Sequence, residues 1–210
     1  MYNVCPACGQ YSEEEIDPAG PHAVCPACGH RQRFRRLPLF VITGASGAGK
    51  TVVCLGLVEV LRECVVLESD ILWRSEFDRP EEDYRTYRNL WLRLVKNIAQ
   101  GRRPVVLCGS VVPDGFERCP ERRYLSGIHY LALVCDDDEL IRRLRARPVW
   151  RGSSDEAFIE RMLNFNGWFR RNAAGSQPPV DLLDTTHITV DETVARVADW
   201  VRARWPALKG

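Results

Sequence analysis

The chain has 210 residues, 45% of them apolar and 27% charged, with a formal net charge of +1 at pH 7. That length holds one medium domain and a small appendage, with enough apolar material for an ordinary core. The near-zero charge gives no global pull toward nucleic acid or an anionic membrane surface, and no apolar run approaches the roughly 20 residues of a membrane span.

The N-terminal stretch MYNVCPACGQ is polar and lacks the apolar centre of a secretory signal. Cys5 and Cys8, and again Cys25 and Cys28, are paired as CPACG, with residues 9–24 between the pairs. Two such pairs supply four thiolates, the ligand set of a closed tetrahedral zinc site. Gly9 and Gly29 suit turns of positive φ that aim backbone N–H groups at sulfur. Residues 1–36 therefore read as a zinc ribbon that relies on metal for folding. His22 and His30 are bystanders, since four thiolates complete the shell. The basic stretch HRQRFRR is balanced by Glu13, Glu14, Glu15 and Asp17, which argues against a dedicated nucleic-acid grip. Cys54, Cys64, Cys108, Cys119 and Cys135 are scattered, mostly in apolar runs where a reduced thiol packs as a small hydrophobe, so a reducing cytoplasm is the expected setting.

Residues 37–210 read as the main domain, with apolar runs alternating with helical patterns, the signature of a parallel sheet wrapped by helices. Strands are expected at 39–43, 65–68, 105–108, 130–134 and 181–184. Helices are expected from Lys50 to about Arg62, from about Glu81 to Gln100, from Asp136 into the arginines before Pro148, from a Ser153/Glu156 capping box through Phe169, and from about Glu192 to Arg204. Tyr84, Tyr87, Trp91, Leu94, Val95 and Ile98 share one face of the second helix.

Between the first strand and helix stands Gly44-Ala45-Ser46-Gly47-Ala48-Gly49-Lys50-Thr51, which satisfies G-x-x-x-x-G-K-[ST] in its required context. Small residues let backbone N–H groups curl around a β-phosphate, Lys50 bridges the β- and γ-phosphates, and the Thr51 hydroxyl ligates Mg²⁺. The third expected strand ends Cys108-Gly109-Ser110, without the carboxylate that most motor and switch ATPases place there. The second ends Glu68-Ser69-Asp70, two acids at the sheet edge where ligands bind in open α/β folds. They suit a magnesium site and the acceptance of a proton from an attacking hydroxyl; a plain strand end for Glu68 and a helix cap for Asp70 are the alternatives.

These features resemble the P-loop small-molecule kinases, among them nucleoside and nucleotide kinases, shikimate and gluconate kinases and chloramphenicol phosphotransferase. The resemblance covers about residues 38–205. It rests on the phosphate loop, the acid-x-acid pair, the arginine-rich segment 142–152 and Leu182-Leu183-Asp184-Thr185-Thr186. It implies a five-stranded parallel sheet of order 2-3-1-4-5, with ATP or GTP as donor and a small-molecule acceptor. Glu68 and Asp70 would serve magnesium, with Asp70 also meeting the acceptor hydroxyl, and a lid would carry Arg143, Arg147 and Arg151 over the nucleotide. Thr185 and Thr186 would lie beside its base. Pro148 and Gly152 bracket the lid's break, and Lys50, Asp70, Arg147 and Arg151 are the catalytic candidates.

Trp73, Arg74, Tyr84, Arg88 and Ser110, with Asp70, are the acceptor-site candidates, and Asn164, Asn166 and Trp168 are secondary ones. The aromatic stripe is equally readable as core. Nucleoside-like or antibiotic acceptors are expected, with an RNA-acting kinase or a nucleotide-dependent regulatory protein as alternatives.

Overall fold

The computed structural model describes residues 3–11, 15–17 and 19–205; Glu13, Glu14 and Lys209 lie outside them. Three short strands come first, Glu15–Ile16 (β1), His22–Val24 (β2) and Arg31–Arg33 (β3), paired antiparallel in that order. Gly9 and Gly29 both turn at φ 72, as the repeated CPACG motif requires. Arg31 engages Asp17, which neutralises part of the basic stretch.

The ribbon buries little of its own, and its apolar residues Ala23 and Phe34 close against Tyr124 of the main body. Phe34 meets the Tyr124 ring edge-on at 5.2 Å. Beside this contact Lys96 is fully buried, donating to Asn3 Oδ1 at 3.2 Å and pairing with Glu121 Oε2 at 2.7 Å. Arg35 N donates to Gln100 Oε1 at 2.8 Å, fastening the segment that follows β3 to the same surface.

In the main body, Leu39–Thr43 (β4) leads through the phosphate loop into Lys50–Val60 (α1). Val65–Glu68 (β5), Arg85–Ala99 (α2), Val105–Cys108 (β6) and Pro113–Glu117 (α3) follow. Ile128–Val134 (β7), Asp137–Arg145 (α4), Glu156–Asn172 (α5), Val180–Asp184 (β8) and Val190–Arg204 (α6) complete it. The five long-range strands are all parallel in the order β5-β6-β4-β7-β8, which is the expected 2-3-1-4-5.

The central strands are apolar throughout because both faces are covered. Leu39 and Val41 point toward Trp91, Val95 and Phe169 of α2 and α5, while Phe40 and Ile42 point toward Leu57 and Val197 of α1 and α6. A smaller cluster of Ala45, Cys135, Leu140, Leu144 and Ile159 supports the phosphate loop from the α4–α5 side. No helix among the described residues is long and apolar enough to cross a membrane.

Several boundaries differ from the sequence reading. β7 starts two residues earlier, at Ile128, and β8 one earlier, at Val180. α2 begins at Arg85 rather than Glu81, because Pro80–Glu82 forms a single 3₁₀ turn and Asp83 and Tyr84 then take φ 50 and 53. Consecutive left-handed non-glycine residues are costly and not readable from composition. Ser153 does not cap α5: Asp155 Oδ1 accepts from Phe158 N at 2.8 Å, while the buried Ser153 hydroxyl donates to Leu144 O at 3.1 Å. The capping box belongs instead to Thr189 and Glu192, at the start of α6.

Candidate active site

The loop between Thr43 and Lys50 lies at the carboxyl edge of the sheet. Gly44 has φ 136, and a Cβ there would sit 2.4 Å from the Leu133 carbonyl oxygen, so only glycine lets the loop pass β7 this closely. Lys50 folds beneath the loop, its Nζ donating to Gly44 O at 2.8 Å and Ala45 O at 2.9 Å. Burial lowers its ammonium to about 8, against the stabilising charge of Asp70.

At the first turn of α1, Thr51 Oγ1 donates to Glu68 Oε1 at 2.5 Å. β6 separates β4 from β5, with Cys108 in register with Ile42 on one side and Glu68 on the other. Glu68 thus reaches past a small thiol to the position that a carboxylate on β6 would occupy. Thr51, Glu68 and the nearby Asp70 form an oxygen-rich set of the kind Mg²⁺ takes. Asp70 is exposed in the 3₁₀ turn Ser69–Leu72 and caps no helix.

Two cavities open along this edge. One, of about 730 Å³, is lined by the loop from Ser46 to Thr51, Glu68, Arg143, Thr185 and Thr186. The other, of about 870 Å³, is lined by Trp73, Tyr84, Tyr87, Arg88, Phe116 and Phe158. Both reach Ser46, Asp70, Gly109, Ser110, Arg147, Trp150 and Arg151, so the two cavities meet at one carboxylate and two guanidinium groups.

Residues 41–159, more than half of the chain, match the sequence profile of an AAA domain. The chain belongs to this AAA-domain family. Among solved structures the fold is shared with an unliganded sugar kinase from Janibacter sp. HTCC2649, at TM-score 0.60 and 15% identity over 80% of this chain and 95% of that one. A shikimate kinase from Acinetobacter baumannii in complex with shikimate aligns at TM-score 0.50 and 18% identity, over 80% of this chain and 95% of that one. A gluconokinase from Sinorhizobium meliloti 1021 aligns at TM-score 0.50 and 19% identity, over 81% and 99%. The fold is therefore that of the P-loop small-molecule kinases. No curated protein matches the sequence.

In this AAA domain Arg143 is a fixed strut, since its guanidinium donates to Thr185 Oγ1 at 3.0 Å, Thr185 O at 2.7 Å and Glu139 Oε1 at 2.7 Å. Arg142 and Arg143 both donate to Glu139 and hold its carboxyl down at about 2. Thr186 is likewise engaged, accepting from Asp136 N at 2.9 Å and donating to Asp184 Oδ1 at 2.6 Å. Arg147 and Arg151 take part in no ion pair with a carboxylate among the described residues. Burial and the adjacent Arg151 lower the Arg147 guanidinium, and Asp70 opposes them. The segment carrying them breaks helix at Pro148 and turns at Gly152 with φ 60, where the sequence placed the lid's hinges.

The acceptor-side candidates divide. Trp73 and Tyr84 line the cavity, and Tyr87 is held there by donating to Ser69 O. Arg88 also lines it, but Asp83 Oδ2 holds its guanidinium at 2.5 Å. Ser110 faces both cavities, with its hydroxyl donating to Gly44 O at 3.1 Å. Arg74, expected at the acceptor side, is exposed and lines neither cavity. Asn164, Asn166 and Trp168 also lie outside; Asn166 is fully buried and bonds the Cys135 backbone at 2.8 Å. Phe116, Phe158 and Trp150 were not expected at the acceptor side, nor Ile188 and Val190 at the other. The aromatic character of Trp150 inside a Pro–Gly bracket was the one signal available for them.

Ahead of the AAA domain, the sulfurs of Cys5, Cys8, Cys25 and Cys28 lie within 4.8 Å of one another. Cys5 to Cys28 spans 3.7 Å and Cys8 to Cys25 3.8 Å. A tetrahedron with zinc–sulfur bonds of about 2.3 Å has edges of about 3.8 Å, so the thiols fit that ion. A backbone hydrogen bond from His30 lowers Cys28, yet the crowding of Cys8, burial, Cys5 and Cys25 push it up to about 12. Such crowded thiols cannot all ionise until a cation joins them. His22 and His30 are not part of the cluster.

Proposed function

We propose that the protein is an ATP-dependent phosphotransferase that moves the γ-phosphate to a hydroxyl of a small molecule. The observation that carries this reading is the meeting of a phosphate-loop cavity and a second, aromatic cavity at Asp70, Arg147 and Arg151. A nucleotide hydrolase has no need of the second cavity.

In this reading the backbone N–H groups of residues 44–51 hold the β-phosphate, and Lys50 leaves its loop carbonyls for the β- and γ-phosphates. Thr51, Glu68 and Asp70 hold Mg²⁺, which neutralises charge on the β- and γ-phosphates when bound. Asp70 takes the acceptor's hydroxyl proton as its oxygen bonds to the γ-phosphorus. The bond from that phosphorus to the β-bridging oxygen breaks, and ADP leaves. Arg147 and Arg151 stabilise the equatorial oxygens in transit, and Arg143 with Thr185 and Thr186 positions the nucleoside end.

The ribbon docks near Lys96 and Gln100, toward the opposite end of α2 from Tyr84 and Arg88. With 15 residues, α2 spans roughly 22 Å. The near-neutral charge of the chain, rather than this distance, favours a small acceptor over a polynucleotide gripped by the ribbon. The test is transfer of label from γ-labelled ATP across nucleosides, nucleotides, antibiotics, sugars and RNA. Label should appear in one class of acceptor, with Lys50→Ala and Asp70→Ala each nearly inactive. Wild-type turnover by Asp70→Ala would overturn the assignment of the base.

A further inference from the structure

The mouth of the acceptor cavity displays large rings that the fold itself leaves open. Trp150 is 79% exposed and Trp73 42% exposed, although both line the cavity. Trp73 is held in place, edge-on to Tyr87 at 5.2 Å and tilted against Tyr84 at 6.0 Å. On the lid side the Arg151 guanidinium sits over the Trp150 ring at 4.9 Å. Rings kept partly in water at a cleft mark a surface whose apolar contact is completed by a ligand.

The charges of the same cavity point the same way. Asp70 and Asp78 both face it, and Arg88, its one cation apart from the lid pair, is neutralised by Asp83 at 2.5 Å. Arg147 and Arg151 stand at the junction with the phosphate-loop cavity, where the transferred phosphoryl group needs them. A carboxylate or phosphate on the acceptor would be desolvated beside two carboxylates with no spare cation to pair it. The volume of about 870 Å³ lies toward the upper end of the range that takes drug-sized ligands.

We infer, resting on the phosphotransfer reading above, that the acceptor is an uncharged molecule bearing a planar ring. Trp73 and the lid's Trp150 flank that ring from opposite sides, and the acceptor's hydroxyl is presented to Asp70. The lid then does two things in closing: it delivers Arg147 and Arg151 to the phosphate, and Trp150 to the acceptor.

The test is isothermal titration of the full, zinc-loaded chain, saturated with Mg²⁺ and a non-hydrolysable ATP analogue so that the donor cavity is filled. The probes are adenosine and 4-nitrophenyl β-D-glucoside, uncharged and ring-bearing, against adenosine 5′-monophosphate and gluconate, both anionic. At least one ring-bearing probe should bind about ten-fold tighter than either anion. Trp73→Ala and Trp150→Ala should each weaken it about ten-fold relative to the analogue, with Trp150→Phe restoring most of the loss. Tighter binding of an anion, no binding of either ring-bearing probe, or indifference to both tryptophan variants overturns the inference. Label transfer from ATP to gluconate without ring-probe binding would refute this inference and leave the phosphotransfer reading standing. Ring-probe binding with no label transfer to any acceptor would do the reverse.

Discussion

Replacing Lys96 by alanine should cost far more than an ordinary surface change on a helix. The lysine is fully buried between α2 and the ribbon, 2.7 Å from Glu121, whose side chain is only 5% exposed. Without Lys96, the one cation left paired with Glu121 among the described residues is Arg93, whose half-exposed side chain brings Nε to 3.2 Å from the other carboxylate oxygen. Breaking a buried pair from one side leaves a charge without its partner, which costs about 3–5 kcal/mol. For a chain of this size that corresponds to a fall of roughly 10 °C in Tm. The double variant Lys96→Met/Glu121→Leu removes both charges and keeps the volume, and should stay within about 1 kcal/mol of wild type. Urea unfolding followed by circular dichroism, with zinc in the buffer, measures all three. A loss under about 1 kcal/mol for Lys96→Ala, or a double variant as unstable as the single, would refute the unpaired-charge reasoning.

Gly44→Ala forces a Cβ to within 2.4 Å of the Leu133 carbonyl at φ 136, so the loop must shift and affinity for an ATP analogue should fall at least about ten-fold by titration. Glu139 is depressed to about 2 by Arg142 and Arg143, so its contribution is complete above the unfolded-state value near 4.5 and is lost as pH falls toward 2. The stability gap between wild type and Glu139→Gln should therefore close between those two pH values, and a gap that widens on acidification would contradict the pairing. Chelation of zinc should release Cys5, Cys8, Cys25 and Cys28 together to a thiol reagent, while Cys54, Cys64, Cys108, Cys119 and Cys135, all buried, stay slow. Equal rates for all nine cysteines in the zinc-loaded protein would count against the metal site.

The strands were legible because a parallel strand covered on both faces is continuously apolar, and LFVIT and VVLC are. The phosphate loop and the CPACG pairs were legible because their spacing is itself the geometry. Pairing was not. Arg88 and Arg74 look alike in sequence, yet Asp83 turns one into a neutralised wall of the cavity and the other stays in solvent. Ser153 and Glu156 had the right spacing for a cap, but Asp155 stands closer and Ser153 is drawn into the core beneath Leu144 O. Nothing in the sequence marks Lys96 for burial, because the surface that buries it is contributed by residues 3 and 121–124. Short elements such as α3 leave no periodic trace, and Phe116 reached the acceptor cavity unannounced.

The ribbon's dock has a consequence for the order in which the chain is made. Asn3 and Lys96 are 93 residues apart, and Tyr124 leaves the ribosome later still. At ordinary synthesis rates the finished ribbon sequence waits roughly 5–20 seconds for the surface that covers it. During that interval its thiols are open, whereas Cys5 and Cys25 are buried in the completed protein. A ribbon that took up zinc in that interval would meet the emerging body with the face of Ala23 and Phe34 already shaped to receive Tyr124.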